Sequence, residues 1–254
     1  MAVLVASMES LAQIPYAHVR EADVMWSTRI WRELDLREKL NLPMYYPIRP
    51  SQGYKSLFDV LVGGIQSELI TAYAIDPLGI QDDFSSPLSI TQVQAILCNK
   101  DSVYTLDLAT GELILVIQKD SLASEDVTRY RLKEDWYFDR EEARMNVRII
   151  GIAPLKELRA DDGVVRGYSP LFWIYFREAR ALLAGAPVYL RHNDTKDLSY
   201  DDLFAKRFFH GYIVKSTNVF DRSISDYCSG IDALVEVESI EEELRQFESD
   251  FWSH

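Results

Sequence analysis

TRYRLKEDWYF at residues 128–138, then DREEAR, then MNVRIIGI at residues 145–152, is the stretch that decides the fold. Tyr130 and Leu132 alternate with Arg129, Arg131 and Lys133. Val147 and Ile149 alternate in the same way with Asn146 and Arg148. A period of two places one side-chain set on each face of a strand, so both segments read as half-buried strands. Asp139-Arg140-Glu141-Glu142 between them is a charged turn, and the pair is a long antiparallel hairpin. Trp136 and Phe138 share one face of the first strand and Tyr137 takes the other. One of these faces meets the core, and the other is either an anchor for a partner or a second buried side.

Working outward, Val103–Leu108 and Leu113–Gln118 flank Ala109-Thr110-Gly111-Glu112 and suggest a second hairpin. Leu171–Phe176 and Ile70–Ile75 read as shorter strands. The ends of the chain read as helical. Helix formers dominate Glu21–Leu40, and Val24, Trp26, Ile30, Trp31 and Leu34 fall on about half of a helical circumference. Pro43 stops the pattern. Tyr54, Leu57, Phe58, Leu61, Ile65 and Leu69 form one stripe at helical spacing, weakened by Gly63-Gly64. Ser89 with Gln92, and Ser199 with Asp202, have the spacing of capping boxes that open helices. In the last segment Ala233, Val237, Ile240, Leu244, Phe247 and Phe251 form a narrow seam on an otherwise acidic helix. Such a seam docks on the chain's own sheet or on a neighbouring subunit, and own-core docking is the commoner arrangement. Helices at both ends of a mostly antiparallel sheet make the fold class α+β.

The chain has 254 residues with formal net charge −13, 48% hydrophobic and 12% aromatic residues. A chain of this length buries a full core without metals or disulfides. The acidic balance opposes binding to a nucleic-acid backbone or an anionic lipid surface. No apolar run reaches the length of a bilayer span, so no membrane span is expected. The four histidines, His18, His192, His210 and His254, have no second His or Cys at metal-ligand spacing. Phosphate-loop, dinucleotide and nucleophile-elbow motifs are absent. His192-Asn193-Asp194 with Asp197 is the best catalytic or metal candidate, and its composition is that of an exposed turn. Asp82-Asp83 and Asp161-Asp162-Gly163 also read as solvated loops rather than calcium loops. No catalytic residue, cofactor or metal is therefore expected. Cys98 and Cys228 read as two separate thiols, with pairing as the alternative in an oxidising compartment.

Residues 1–12 end in Ser10-Leu11-Ala12, in the manner of a secretory signal remnant or a floppy N-terminus, and residues 13–254 read as a single domain. EADVMWSTRIWRELDLREKLNLPMYYP (21–47) resembles the opening of the gliding-motility family GldN, called PorN in non-gliding relatives. The resemblance continues in KSLFDVLVGGI (55–65), RYRLKEDWYFDREEARMNVRIIGIAPL (129–155) and PLFWIYFREARALLA (170–184). It resumes in SYDDLFAKRFFHGYIVKSTNVFDR (199–222) and GIDALVEVESIEEELRQFESDFW (230–252). It implies a non-catalytic structural subunit of the type IX secretion machinery, located in the periplasm. There it would assemble with the lipoprotein GldK (PorK) into homo- and hetero-oligomeric rings beneath the outer membrane. The rings would meet the GldL–GldM (PorL–PorM) motor. The alternative is an adaptor that binds one partner without forming rings. Trp26, Trp31, Trp136, Tyr137, Phe247, Phe251 and Trp252 are the candidate partner contacts, since aromatic rings anchor interfaces.

Overall fold

The architecture comes from a computed structural model, which describes residues 19–75, 83–106, 113–160, 164–189 and 198–252. In chain order the elements begin with β1 (Val24–Asp35), α1 (Leu42–Tyr45), α2 (Leu57–Gln66), β2 (Ala72–Tyr73) and α3 (Ile90–Leu97). The middle holds β3 (Cys98–Leu106), β4 (Leu113–Ser121), β5 (Arg129–Asp139), β6 (Arg144–Arg159), β7 (Val165–Pro170) and β8 (Trp173–Tyr175). Then come α4 (Phe176–Ala184), α5 (Tyr200–Ala205), β9 (Tyr212–Ser216) and α6 (Ile231–Trp252). The main sheet has the order β2-β8-β6-β5-β1-β9, with β7 also paired to β6, and β3 and β4 form a separate two-stranded sheet. Every pairing is antiparallel. The fold is α+β, as the sequence indicates.

The β5–β6 hairpin forms as expected, but β6 gains a residue near Ile150, where Lys133 faces Gly151 and Glu134 faces Ile149. The second hairpin also forms, with its turn at residues 107–112 outside the described residues. Both capping boxes are present. The Ser89 and Ser199 hydroxyls accept from the N–H groups of Gln92 and Asp202, whose side chains reach back to the cap backbone. The helix expected over Tyr54–Leu69 is shorter, because Ser56 caps it and Ser67 ends it.

The expected helix over Glu21–Leu40 is overturned. A 3-10 turn at Glu21–Asp23 leads into β1, which lies between β5 and β9 at the centre of one half of the sheet. Trp26, Ile30 and Leu34 are four apart, a spacing that fits one face of a helix and one face of a strand equally well. The strand wins because its charged residues find cross-strand partners. Arg29 faces Asp135, Glu33 faces Arg131 and Asp35 faces Arg129.

The two faces of the sheet differ. Leu34, Tyr130, Leu132, Ile149, Ile152 and Ile174 meet the buried stripes of α2, α4 and α5 in the main core. Each such side chain contributes about 1.5–3 kcal/mol on burial. Further along this face, Ile30, Ile213, Ile224 and Leu244 form a second cluster under α6, with Ala233, Val237 and Ile240 packed against it. The final seam therefore docks on the chain's own sheet. Glu134 lies on this face, fully buried. It accepts from Arg207 at 2.8 Å and from Trp136 Nε1 at 3.0 Å, and Arg32 lies 3.5 Å away.

Candidate interaction surfaces

On the opposite face β1 and β5 contribute Trp31, Glu33, Arg131 and Lys133, and β9 contributes Tyr212 and Lys215. Buried Glu33 accepts from Arg131 Nε at 3.2 Å and from the Tyr212 hydroxyl at 2.9 Å, with Arg129 at 3.5 Å. Burial and the adjacent Glu33 carboxylate push the Tyr212 hydroxyl well above its ordinary pKa, so it remains a donor. The Arg129 guanidinium stacks 3.9 Å over the Tyr168 ring. Trp31 has Lys215 at 4.5 Å and Lys133 at 5.8 Å from its ring. Phe84 covers this mosaic, with Lys133 at 5.2 Å. It can sit so close to the sheet because position 151 is glycine: a Cβ there would lie 2.6 Å from the Phe84 ring.

The sequence-selected aromatic residues differ in exposure, and Phe247 is 38% exposed. Trp31 and Tyr137 are buried. Trp26 and Trp136 pack beneath α6, and Trp26 stacks on Phe247 at 4.8 Å. The side chains of Phe251 and Trp252 lie outside the described residues, as do His192, Asn193, Asp194 and Asp197. Residues 1–12, Asp82 and Asp161-Asp162-Gly163 lie outside them too. Cys98 and Cys228 are both free thiols. Among the described residues no group of three His, Cys, Asp or Glu is placed to hold a metal. No described helix is long and apolar enough to cross a membrane.

Among the described residues two further regions are open. The first is an edge. β8 and β7 pair with β6 from Gly151 onward, and among the described strands only β5 pairs with residues 144–149. Beside this edge lies a recess of about 440 Å³, lined by Arg144, Arg148, Arg180 and Arg207 together with Glu142 and Asp201. Arg180 and Asp201 form a buried two-point ion pair at 2.8 and 2.9 Å. Arg144 and Asn146 hydrogen-bond Glu142 and hold its carboxyl below the ordinary range.

The second surface is apolar. Val219 is 95% exposed, Phe220 71%, Ile231 78%, Leu234 69% and Val235 59%. Val219 and Phe220 sit at the tip of a turn pinned by Asn218. The Asn218 side chain accepts from the N–H groups of Phe220 and Arg222 at 3.2 and 3.0 Å. It donates to the carbonyls of Arg222 and Ser216 at 2.7 and 3.0 Å. Lys215 ties Asp221 at 2.7 Å. Arg222 stacks on Phe220 at 4.4 Å and lies 5.9 Å from Tyr227, whose hydroxyl donates to Glu236 on α6 at 3.1 Å. Tyr227 thus ties the stretch after the turn to Glu236 on α6. The sequence signal for these exposed side chains was Val219-Phe220 inside a polar loop, and Ile231, Leu234 and Val235 off the seam of the last helix.

The family model described as gliding motility associated protein GldN matches residues 19–253. No curated protein matches the chain.

Proposed function

Because the chain belongs to the GldN family of gliding-motility and type IX secretion components, we propose that it is a non-catalytic structural subunit of that machinery. In this reading it works in the periplasm, attached to the outer membrane through a GldK-like lipoprotein. With that lipoprotein it builds rings that contact the GldL–GldM motor. One observation carries the assembly role: the described residues include two chemically unlike open regions, the arginine-lined edge of β6 and the exposed apolar side chains among residues 219–235. A closed ring needs heterologous contacts, in which one patch meets a different patch on the next subunit. A simple adaptor needs only one patch.

The test is the size of the complex purified after co-expression with the lipoprotein, read by light scattering and electron microscopy. Large particles are expected. Small one-to-one complexes under all conditions would leave the adaptor reading in its place.

A further inference from the structure

We infer that the open edge of β6 at residues 144–149 takes in an extended segment of a partner protein as an added strand, with carboxylates on one face of that segment and apolar side chains on the other. The inference builds on the assembly reading, since it assigns a partner chemistry to one of that reading's surfaces.

The edge is a gap within the sheet. β5 lies between β1 and β6 along its whole length, so it is paired on both sides. Among the described strands, β6 is paired on both sides only from Gly151 onward. β8 ends at Tyr175, opposite Gly151, and there the chain turns into α4. Phe176 and Arg180 of α4 and Phe204 of α5 line the recess beside residues 144–149. Six residues make an ordinary strand of about 20 Å. Open edges are commonly blunted by Pro, Lys or a bulge. Residues 144–149 include no Pro or Lys, and their register with β5 is unbroken. Such an edge is a template for strand addition.

The side chains around the gap set the chemistry of the occupant. Ile149 pairs with Glu134 on the helix-bearing face, so Met145 and Val147 share that face and Arg144, Asn146 and Arg148 take the other. Arg144 and Arg148 lie four positions apart, about 14 Å along the strand. Arg144 holds Glu142 at 2.7 Å in an exposed pair, and a guanidinium has donors for a second carboxylate. Arg148 rests against the Tyr137 ring at 5.2 Å, and Asp135 opposite it on β5 takes two hydrogen bonds from Arg29. The recess as a whole is lined by four arginines against Glu142 and Asp201, in a chain of net charge −13. An added strand also alternates its side chains between faces. Carboxylates four positions apart would stand opposite Arg144 and Arg148. On the helix side Arg180 and Arg207 already hold Asp201 and Glu134. That side offers Met145, Val147 and the Phe176–Phe204 ring pair to apolar groups. Val19 lines the same recess, and the residues before it hold a single carboxylate, Glu9.

The experiment uses the purified full chain and short fluorescent peptides of alternating Val and Thr, with Glu replacing Thr at two positions four apart. Matching peptides carry Lys in place of Glu, or N-methyl groups on the amides of one edge or of the other. Binding is read by anisotropy and by hydrogen exchange. The Glu peptide is expected to bind and to slow exchange at residues 144–149, and the Lys peptide to bind at least about tenfold more weakly. One N-methyl pattern is expected to weaken binding by about tenfold or more and the other to leave it unchanged, since only one edge of the peptide pairs with β6. Arg144→Glu with Arg148→Glu is expected to reverse the preference between the Glu and Lys peptides. Arg144→Gln with Arg148→Gln is the second variant, expected to weaken the Glu peptide by about tenfold. Circular dichroism checks that both fold.

Equal binding of the Glu and Lys peptides, equal effects of the two N-methyl patterns, or unchanged exchange at residues 144–149 would overturn the inference. So would tighter binding of a peptide of residues 1–18, since the occupant would then be the chain's own start. Self-association by sedimentation that both variants abolish would overturn it too, by making the occupant a second copy. Glu-peptide binding as expected beside small one-to-one lipoprotein complexes would count against the ring alone. Large lipoprotein-containing particles without such binding would count against this inference alone.

Discussion

Replacing Glu134 by alanine removes, in one step, the acceptor of Arg207 and of Trp136 Nε1 and the carboxylate beside Arg32. Breaking a buried ion pair costs about 3–5 kcal/mol. The low end is expected here, because Arg207 is partly exposed and can turn to water. Urea unfolding reads the loss as a lower midpoint at unchanged slope. Two glycines make an opposed pair. A Cβ at Gly211 would lie 2.6 Å from the Glu33 carbonyl oxygen, so Gly211→Ala forces the backbone apart and costs about 1–3 kcal/mol. A Cβ at Gly63 meets nothing within 4 Å inside α2, so Gly63→Ala stabilises by about 0.5–1 kcal/mol. Thermal melts of the two variants should move in opposite directions. Asp35 and Asp202 contribute to stability against acid. Burial opposes the ionisation of each, but hydrogen bonds and charge from Arg37 at Asp35, and from Ser199 and Lys206 at Asp202, outweigh it. Both carboxyls therefore titrate below their ordinary value of 3.8. A lowered folded-state pKa gives stability that is complete above the unfolded value and is lost as pH falls through the folded one. The urea midpoint should drop below pH of about 4. It should drop less in a chain carrying Asp35→Asn and Asp202→Asn.

At the scale of elements, Ser199→Ala removes the cap of α5 and should cost about 1 kcal/mol, measured by urea unfolding. Leu244→Asp places a charge in the cluster beneath α6. The helix should detach before the sheet melts, and limited proteolysis should then cut first within residues 231–252. Local signals were the readable ones. The capping boxes are decided within four residues, and the seam of α6 repeats over six positions, so both could be read directly. The identity of β1 could not. Its even spacing of Trp26, Ile30 and Leu34 is common to both periodicities, and its Arg and Glu residues look like a solvated helix face. Only the register against Asp135, Arg131 and Arg129, more than ninety positions away, reveals them as rungs of a sheet. Composition cannot separate core from surface for the same reason. A tryptophan has the same composition signal under a helix as on an interface, and Trp26, Trp31 and Trp136 all serve inside the fold.

For the whole molecule, the sheet divides the labour. One face holds the hydrophobic layers under the helices, the other a cation–aromatic mosaic around Trp31 and Glu33, and the open surfaces lie at the β6 edge and near the start of α6. Charge reversal at Arg144 and Arg148 should lower the melting temperature only slightly, since the Arg144–Glu142 pair it breaks is exposed. It should shrink the lipoprotein-containing particles if that edge is one of the two ring contacts, and scattering of the co-expressed variant reads the result. The position of β1 between β5 and β9 has a consequence for biogenesis. The Thr217 hydroxyl donates to the Arg29 carbonyl across 188 residues of chain. A ribosome must therefore synthesise most of the polypeptide before its first strand can receive its last neighbour. Until then β1 has an unfilled margin, and such long-range closure is slow. A nascent chain delayed in this way stays open and threadable until its C-terminal third has been made.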